Sequence, residues 1–195
     1  MKDLKLHLGC GKKILKGWIN VDLYSTKADI KESMITLESF SSNTVSEIYT
    51  SHAVEHIDAL NFVKALKCWH QLLIKNGILI IRCPNFKSHL KRYLKDSVEK
   101  IYQDTLAGDR GKEGYLRCIF GYQTRGEGYK NRNIFTKDLL IKYVEEANFK
   151  VEECREVSVR TRRTMPHLGT GGRDLGLVIE GIPVKDLWCR ATKGF

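Results

Sequence analysis

The stretch "LKLHLGCGKKILKGWINVDL", Leu4 to Leu23, decides how the rest of the chain is read. Leu4 to Leu8 alternates towards a turn of Gly9, Cys10 and Gly11, and Trp18 to Leu23 is a second apolar, β-rich run that closes on an acid, Asp22. Each reads as a strand whose chemistry sits at its carboxyl end. A glycine-rich turn after a first strand lets a ligand approach the backbone, and an acid ending the second strand can accept both hydroxyls of a ribose. The nucleotide is constrained further. A dinucleotide fingerprint needs a third glycine where this chain has Ile14, and an acid about 20 residues on; Asp22 follows Gly11 too soon for a full helix between them. A Walker loop fails as well, because "GCGKK" lacks the four-residue spacer before its second glycine and the Ser or Thr that must follow.

Outward from this stretch, "ADI" (Ala28 to Ile30) reads as a short third segment and "VSEIYTS" (Val45 to Ser51) as a fourth strand. The run from His52 to Ile74 places Ala53, Ile57, Leu60, Val63, Leu66 and Leu73 at helical spacing, and Asn76-Gly77 stops that helix. "ILIIRCP", Ile78 to Pro84, is nearly all apolar, as a central parallel strand covered on both faces must be. From residue 86 to about 133 the core pattern fades into basic, then glycine- and tyrosine-rich sequence, which predicts an inserted lid or substrate segment. Order returns at "FTKDLLIKYVEEANF", where Thr136 caps a helix ending near Asn148. "KVEECREVSV" and "LGLVIEGIPV" read as two closing strands, joined by the basic, glycine-rich "RTRRTMPHLGTGGRD". The plan is one α/β domain over residues 1–195 with a mainly parallel sheet.

Composition bounds the partners. The chain has 195 residues, mean hydropathy −0.32 and no apolar run near the ~18 residues of a membrane span, so a soluble, cytoplasmic protein is expected. Cys10, Cys68, Cys83, Cys118, Cys154 and Cys189 are scattered without a C-x-x-C pair, which argues for reduced buried thiols rather than disulfides or a zinc knot. A formal charge of +10 favours an anionic partner: a phosphorylated metabolite, an acidic glycan or nucleic acid.

"LHLGCGKKILKGWINVDLYSTKADI", "IYTSHAVEHI", "CWHQLLIKNGILIIRCPNF" and "FTKDLLIKYVEEANFKVEECRE" resemble, in order and spacing, the successive motifs of class I S-adenosylmethionine-dependent methyltransferases. They are especially similar to a compact, type 11-like branch with "LGCG…GWxNvD" and "hxxEH" signatures. The resemblance implies a Rossmann-like, seven-stranded, mostly parallel sheet with an antiparallel last strand and helices on both faces. It also implies S-adenosylmethionine as cofactor, with S-adenosylhomocysteine as product. By the resemblance, Gly9, Cys10 and Gly11 lie under the methionyl part of the cofactor, Asp22 on the ribose, Asp29 and Ile30 beside adenine, and Ser51 and His52 beside the transferable methyl. Lys12 or Lys13 can pair with the cofactor carboxylate. Two departures stand out: the acid common before the glycine turn is replaced by Leu6-His7-Leu8, and the helix between the first strands is cut to "KKILKG".

His52, Glu55 and His56 also spell the H-x-x-E-H of an inverted zinc peptidase. That reading needs a third ligand, and nothing fixes Glu99 or Glu113 in that role. The flanking strand and helix account for the motif without a metal. Methyl transfer from a sulfonium relies on alignment, yet a hydroxyl acceptor gains from a general base; His52 is the first candidate, followed by His56 and His167. Arg160, Arg162, Arg163, His167 and Arg173, with Tyr115, Tyr122 and Tyr129, suit an anionic or sugar-bearing acceptor. A hydroxyl of a glycan, nucleotide-sugar or other small molecule is the leading expectation, in keeping with the surface-polysaccharide biosynthesis that similar members serve. RNA methylation and a degenerate, non-catalytic cofactor-binding module are the alternatives.

Overall fold

A computed structural model describes residues 4–99, 101, 119–121, 127–158 and 185–194. Its strands are β1 (Leu4–Leu8), β2 (Ile19–Val21), β3 (Val45–Ser51), β4 (Leu73–Pro84), β5 (Phe149–Ser158) and β6 (Lys185–Lys193). The main helices are α1 (Ala59–Leu72), α2 (Phe86–Tyr93) and α3 (Lys137–Glu146). The strands form one mixed sheet in the order β2-β1-β3-β4-β6-β5. β2, β1, β3 and β4 are mutually parallel, and β6 runs antiparallel to both β4 and β5.

Seven strands were expected, and the described residues form six. Ala28–Ile30 supplies only one bridge, Ile30 to Val21. The reason is local: Asp29 N–H and Ile30 N–H both donate to the Asn20 carbonyl, and the chain then turns at once, with Thr36 and Leu37 donating to the Ser33 carbonyl. The expected strand "LGLVIEGIPV" lies outside the described residues, as do the basic linker with His167 and most of the 102–126 segment. Among the described residues the last strand in the chain is "KDLWCRATK", set between β4 and β5, whose Leu187, Cys189 and Ala191 alternate into the core while Asp186 and Arg190 break its apolar appearance.

The helix expected from His52 begins only at Ala59. Val54–His56 is a separate 3-10 turn, followed by extended backbone at Ile57. Asp58 then caps α1 by accepting from Asn61 N–H at 2.9 Å. The buried stripe is Phe62, Ala65, Leu66, Trp69 and Leu72, whereas Leu60 faces solvent. α1 closes at Leu72, ahead of Asn76-Gly77, which lies within β4, because Leu73 already pairs with Val45 of β3. Thr136 caps α3 as expected, accepting from Leu139 N–H.

α1 and α3 share one core with Leu6, Leu8, Ile48, Leu79, Ile81 and Leu187. They also meet edge-to-face, Phe62 against Tyr143 at 5.4 Å. Over the other face, Tyr49, Ile80, Val157 and Trp188 form a smaller cluster, against which Leu15 and Trp18 pack. The "KKILKG" turn thus does part of the covering that a helix between β1 and β2 would do.

Candidate functional site

The chain leaves β1 and turns back into β2 on one side, while β3 lies on the other, so the carboxyl ends of β1 and β3 diverge at a topological switch point. Gly9 and Gly11 make the turn there, both with left-handed backbone, φ +65° and +54°. Gly9 is pinned from two directions. Its N–H donates to Val21 O at 2.8 Å, and an added Cβ would stand 2.3 Å from Ala53 Cβ, so the first glycine is required by packing against the 51–56 segment. Around Gly11 there is no atom within 4 Å of such a Cβ, which leaves its backbone bare on one side. Cys10 between them is buried, and burial, then Asp22 and Asp29, push its thiol up to about 11. It is a neutral thiol at physiological pH.

Asp22 ties the turn to the end of β2. One carboxylate oxygen accepts Gly11 N–H at 2.8 Å, and the other accepts the N–H groups of Tyr24 and Ser25, each at 2.8 Å. The Ser25 hydroxyl returns a bond to Gly11 O. Of the roughly four lone-pair positions of a carboxylate, three are taken by backbone. Asp29 is exposed and braces Asn20, accepting both its backbone and side-chain N–H at 2.8 Å; these bonds lower the Asp29 pKa.

Asn20 itself was not singled out from sequence, yet it organises the shortened connection. Its side chain accepts from Leu15 N–H, donates to the carbonyls of Leu15 and Trp18, and lies 3.0 Å from His7 Nδ1. His7, where the resemblance leads one to expect an acid, is buried and stacks on Tyr49 with ring centroids 5.4 Å apart. Asn20, His7 and Tyr49 thus form one connected group, the amide hydrogen-bonded to the imidazole and the imidazole stacked on the tyrosine.

The second group gathers at the carboxyl ends of β3 and β4. Ser51 ends β3 opposite Arg82, and His52 follows with φ +53°, a conformation few non-glycine residues adopt. Its N–H donates to Arg82 O at 2.9 Å, and its ring is bracketed by Nε2 to Asp186 at 2.9 Å and Nδ1 to Glu55 at 3.5 Å. Arg82 reaches the same Asp186 oxygen through Nε and a terminal nitrogen, each at 2.9 Å. Both Arg82 and Asp186 are almost wholly buried, and β6 brings Asp186 here because its antiparallel start lies opposite Pro84. Burial acts to lower the His52 pKa, but the charges and hydrogen bonds of Asp186 and then Glu55 outweigh it and raise the value to about 9. At neutral pH His52 carries its proton.

His56 goes elsewhere: its Nδ1 lies 3.1 Å from the Lys130 carbonyl. The two histidines of the H-x-x-E-H motif therefore have separate partners, and no group of three His, Cys, Asp or Glu side chains placed to hold a metal ion occurs among the described residues. Asp186 carried no sequence signal, being 134 positions from His52. Arg82 carried one, as the lone charge in the otherwise apolar run Ile78 to Pro84, since a buried charge needs a partner.

No protein-family model and no curated protein matches the chain. Solved structures do match. A methyltransferase from Methanosarcina mazei, described as S-adenosylmethionine-dependent, aligns with a TM-score of 0.60 at 15% identity, over 100% of this chain and 94% of that one. The fold is that of the S-adenosylmethionine-dependent methyltransferases. A second such methyltransferase, from Mesorhizobium loti, aligns at 0.56 and 14% identity over 98% of this chain and 91% of that one. The Burkholderia thailandensis 1,6-didemethyltoxoflavin-N1-methyltransferase, solved with 1,6-didemethyltoxoflavin and S-adenosylhomocysteine bound, aligns at 0.55 and 11% identity, over 98% of this chain and 71% of that one. At these identities the likeness is one of methyltransferase fold, and no helix of the described residues is long and apolar enough to cross a membrane.

Proposed function

We propose that this protein binds S-adenosylmethionine at the carboxyl ends of β1 and β2 and transfers its methyl group to a hydroxyl-bearing acceptor, a glycan, nucleotide-sugar or other small molecule. The observation that carries the reading is the bare backbone at Gly11, joined to Asp22 at the switch point of a methyltransferase-type sheet. The residues fit the cofactor: Gly9, Cys10 and Gly11 offer a close approach for its methionyl part, and Asp22 retains about one lone-pair position for a ribose hydroxyl. A second hydroxyl is accommodated if Gly11 N–H leaves the carboxylate. Asp29 and Ile30 border the adenine side, and Ser51 and His52 the methyl side.

When bound, the cofactor supplies a methyl already activated on a sulfonium. The chain's part is to align the acceptor and exclude water. His52 is an imidazolium at neutral pH, so it orients and balances charge there, and it accepts a proton only as pH rises through about 9. This also keeps a second reading in view, a binding module without catalysis, since His52, the first candidate for a base, is held protonated.

Calorimetric titration with S-adenosylmethionine and S-adenosylhomocysteine tests the proposal, with Asp22→Ala alongside. Saturable micromolar binding, weakened at least tenfold in the variant, supports it; absence of binding by folded protein overturns it. Methyl transfer to hydroxylated acceptors separates enzyme from binding module.

A further inference from the structure

Glu55 has two carboxylate oxygens with different fates. Oε1 faces His52 Nδ1, but Oε2 is buried and makes no hydrogen bond among the described residues. The residue is only 4% exposed. Asn133 Nδ2 is likewise buried and unpartnered. Its orientation is not arbitrary, because Asn133 Oδ1 accepts Ile134 N–H at 2.9 Å, which leaves Nδ2 as the atom pointing away. Both residues line one small recess at the carboxyl end of β4, whose other walls are Pro84, Phe86, Ile134 and Phe135 together with the polar His89 and Asn131, with room for about one water-sized group. The loop bearing Asn133 is fixed to the motif itself, since Arg132 and Asn133 N–H groups both donate to the Glu55 carbonyl.

Leaving a buried donor or acceptor unmade costs about 1–3 kcal/mol each. The two orphans have opposite polarity, and that selects the ligand chemistry. A cation satisfies Glu55 but not the amide, and an apolar group satisfies neither. A hydroxyl donates to the carboxylate and accepts from the amide. We infer that Glu55 and Asn133 form the subsite that seats a hydroxyl of the acceptor, with Pro84, Phe86 and Ile134 meeting the C–H face beside it. The inference rests on the methyltransferase reading for the word acceptor, and on the recess alone for the hydroxyl. It makes Glu55 a bridge: one oxygen holds His52, the other holds substrate.

The probes are methyl α-glucopyranoside, methyl α-galactopyranoside and methyl α-mannopyranoside, with hydroxyl-free tetrahydropyran as counterpart. Each is titrated by saturation-transfer NMR into the full chain, with and without S-adenosylhomocysteine. Saturable binding of at least one glycoside, weakened tenfold or more in both Glu55→Gln and Asn133→Leu, is the expected result. Thermal unfolding verifies that each variant folds, and Asn133→Leu leaves the His52 partners untouched, so the test survives if Glu55→Gln does not fold. The inference is overturned if no glycoside binds, if Asn133→Leu binds as well as wild type, or if tetrahydropyran competes equally. Failure of S-adenosylhomocysteine to bind, with glycoside binding retained, would instead remove the methyltransferase reading and leave the hydroxyl subsite standing.

Discussion

An imidazole removed from water normally loses its proton more readily, because burial penalises the charged form. His52, which is half-buried, departs from this since Asp186 and Glu55 hold it on both sides. Its folded-state pKa of about 9 exceeds the ordinary 6.5, so the stabilisation is fully present below about pH 6.5 and is lost as pH rises through 9. The effect is at most about 3 kcal/mol. Urea denaturation at pH 6.5 and 9.5 is expected to show wild type losing stability over that window and His52→Ala losing much less. If His52 also serves as base, the methylation rate climbs towards pH 9 as stability falls, and a rate flat in pH assigns it to orientation alone. Asp186→Asn leaves Arg82 and His52 facing a neutral amide. It is expected to destabilise by about 3–5 kcal/mol, as for a buried ion pair broken on one side, read as a lower urea midpoint at pH 7.

At the scale of elements, the glycine turn separates packing from ligand contact. Gly11→Ala meets open space and incurs mainly the left-handed backbone cost of about 1–2 kcal/mol. Gly9→Ala adds a clash with Ala53, a further ~1–3 kcal/mol of overpacking. The expected outcome is a folded Gly11→Ala protein that binds S-adenosylmethionine at least tenfold more weakly, beside a Gly9→Ala protein with the larger fall in melting temperature. Equal cofactor affinity in Gly11→Ala and wild type would move the ligand away from this turn. The start of α1 gives a cleaner case. Asp58→Ala removes the acceptor for Asn61 N–H and is expected to cost about 1 kcal/mol, measurable by chemical denaturation with cofactor binding unchanged.

Across the whole molecule, the sheet is supported unevenly. Among the described residues, β4 has β3 and β6 as partners, while β2 pairs with β1 on one side and has only the Ile30 bridge on the other. Hydrogen exchange is expected to be slowest in β3, β4 and β6 and faster in β2, the same edge that carries Asp22, and cofactor should slow it. The sequence by itself determined the strand-turn-strand of residues 4–23, the apolar central strand, the Thr136 cap and the glycines with Asp22, because each depends on alternation, turn stereochemistry or capping within a few residues. It did not determine that the His52 run breaks into a 3-10 turn before α1, nor that "KDLWCRATK" enters the sheet between β4 and β5. Those outcomes rest on a positive φ held by Arg82 and on an antiparallel register that buries Asp186. Only tertiary structure could join His52, Glu55, Arg82 and Asp186, or set Asn133 beside Glu55. Buried charges and amides are chosen by the partners the fold delivers, and those partners lie far along the chain.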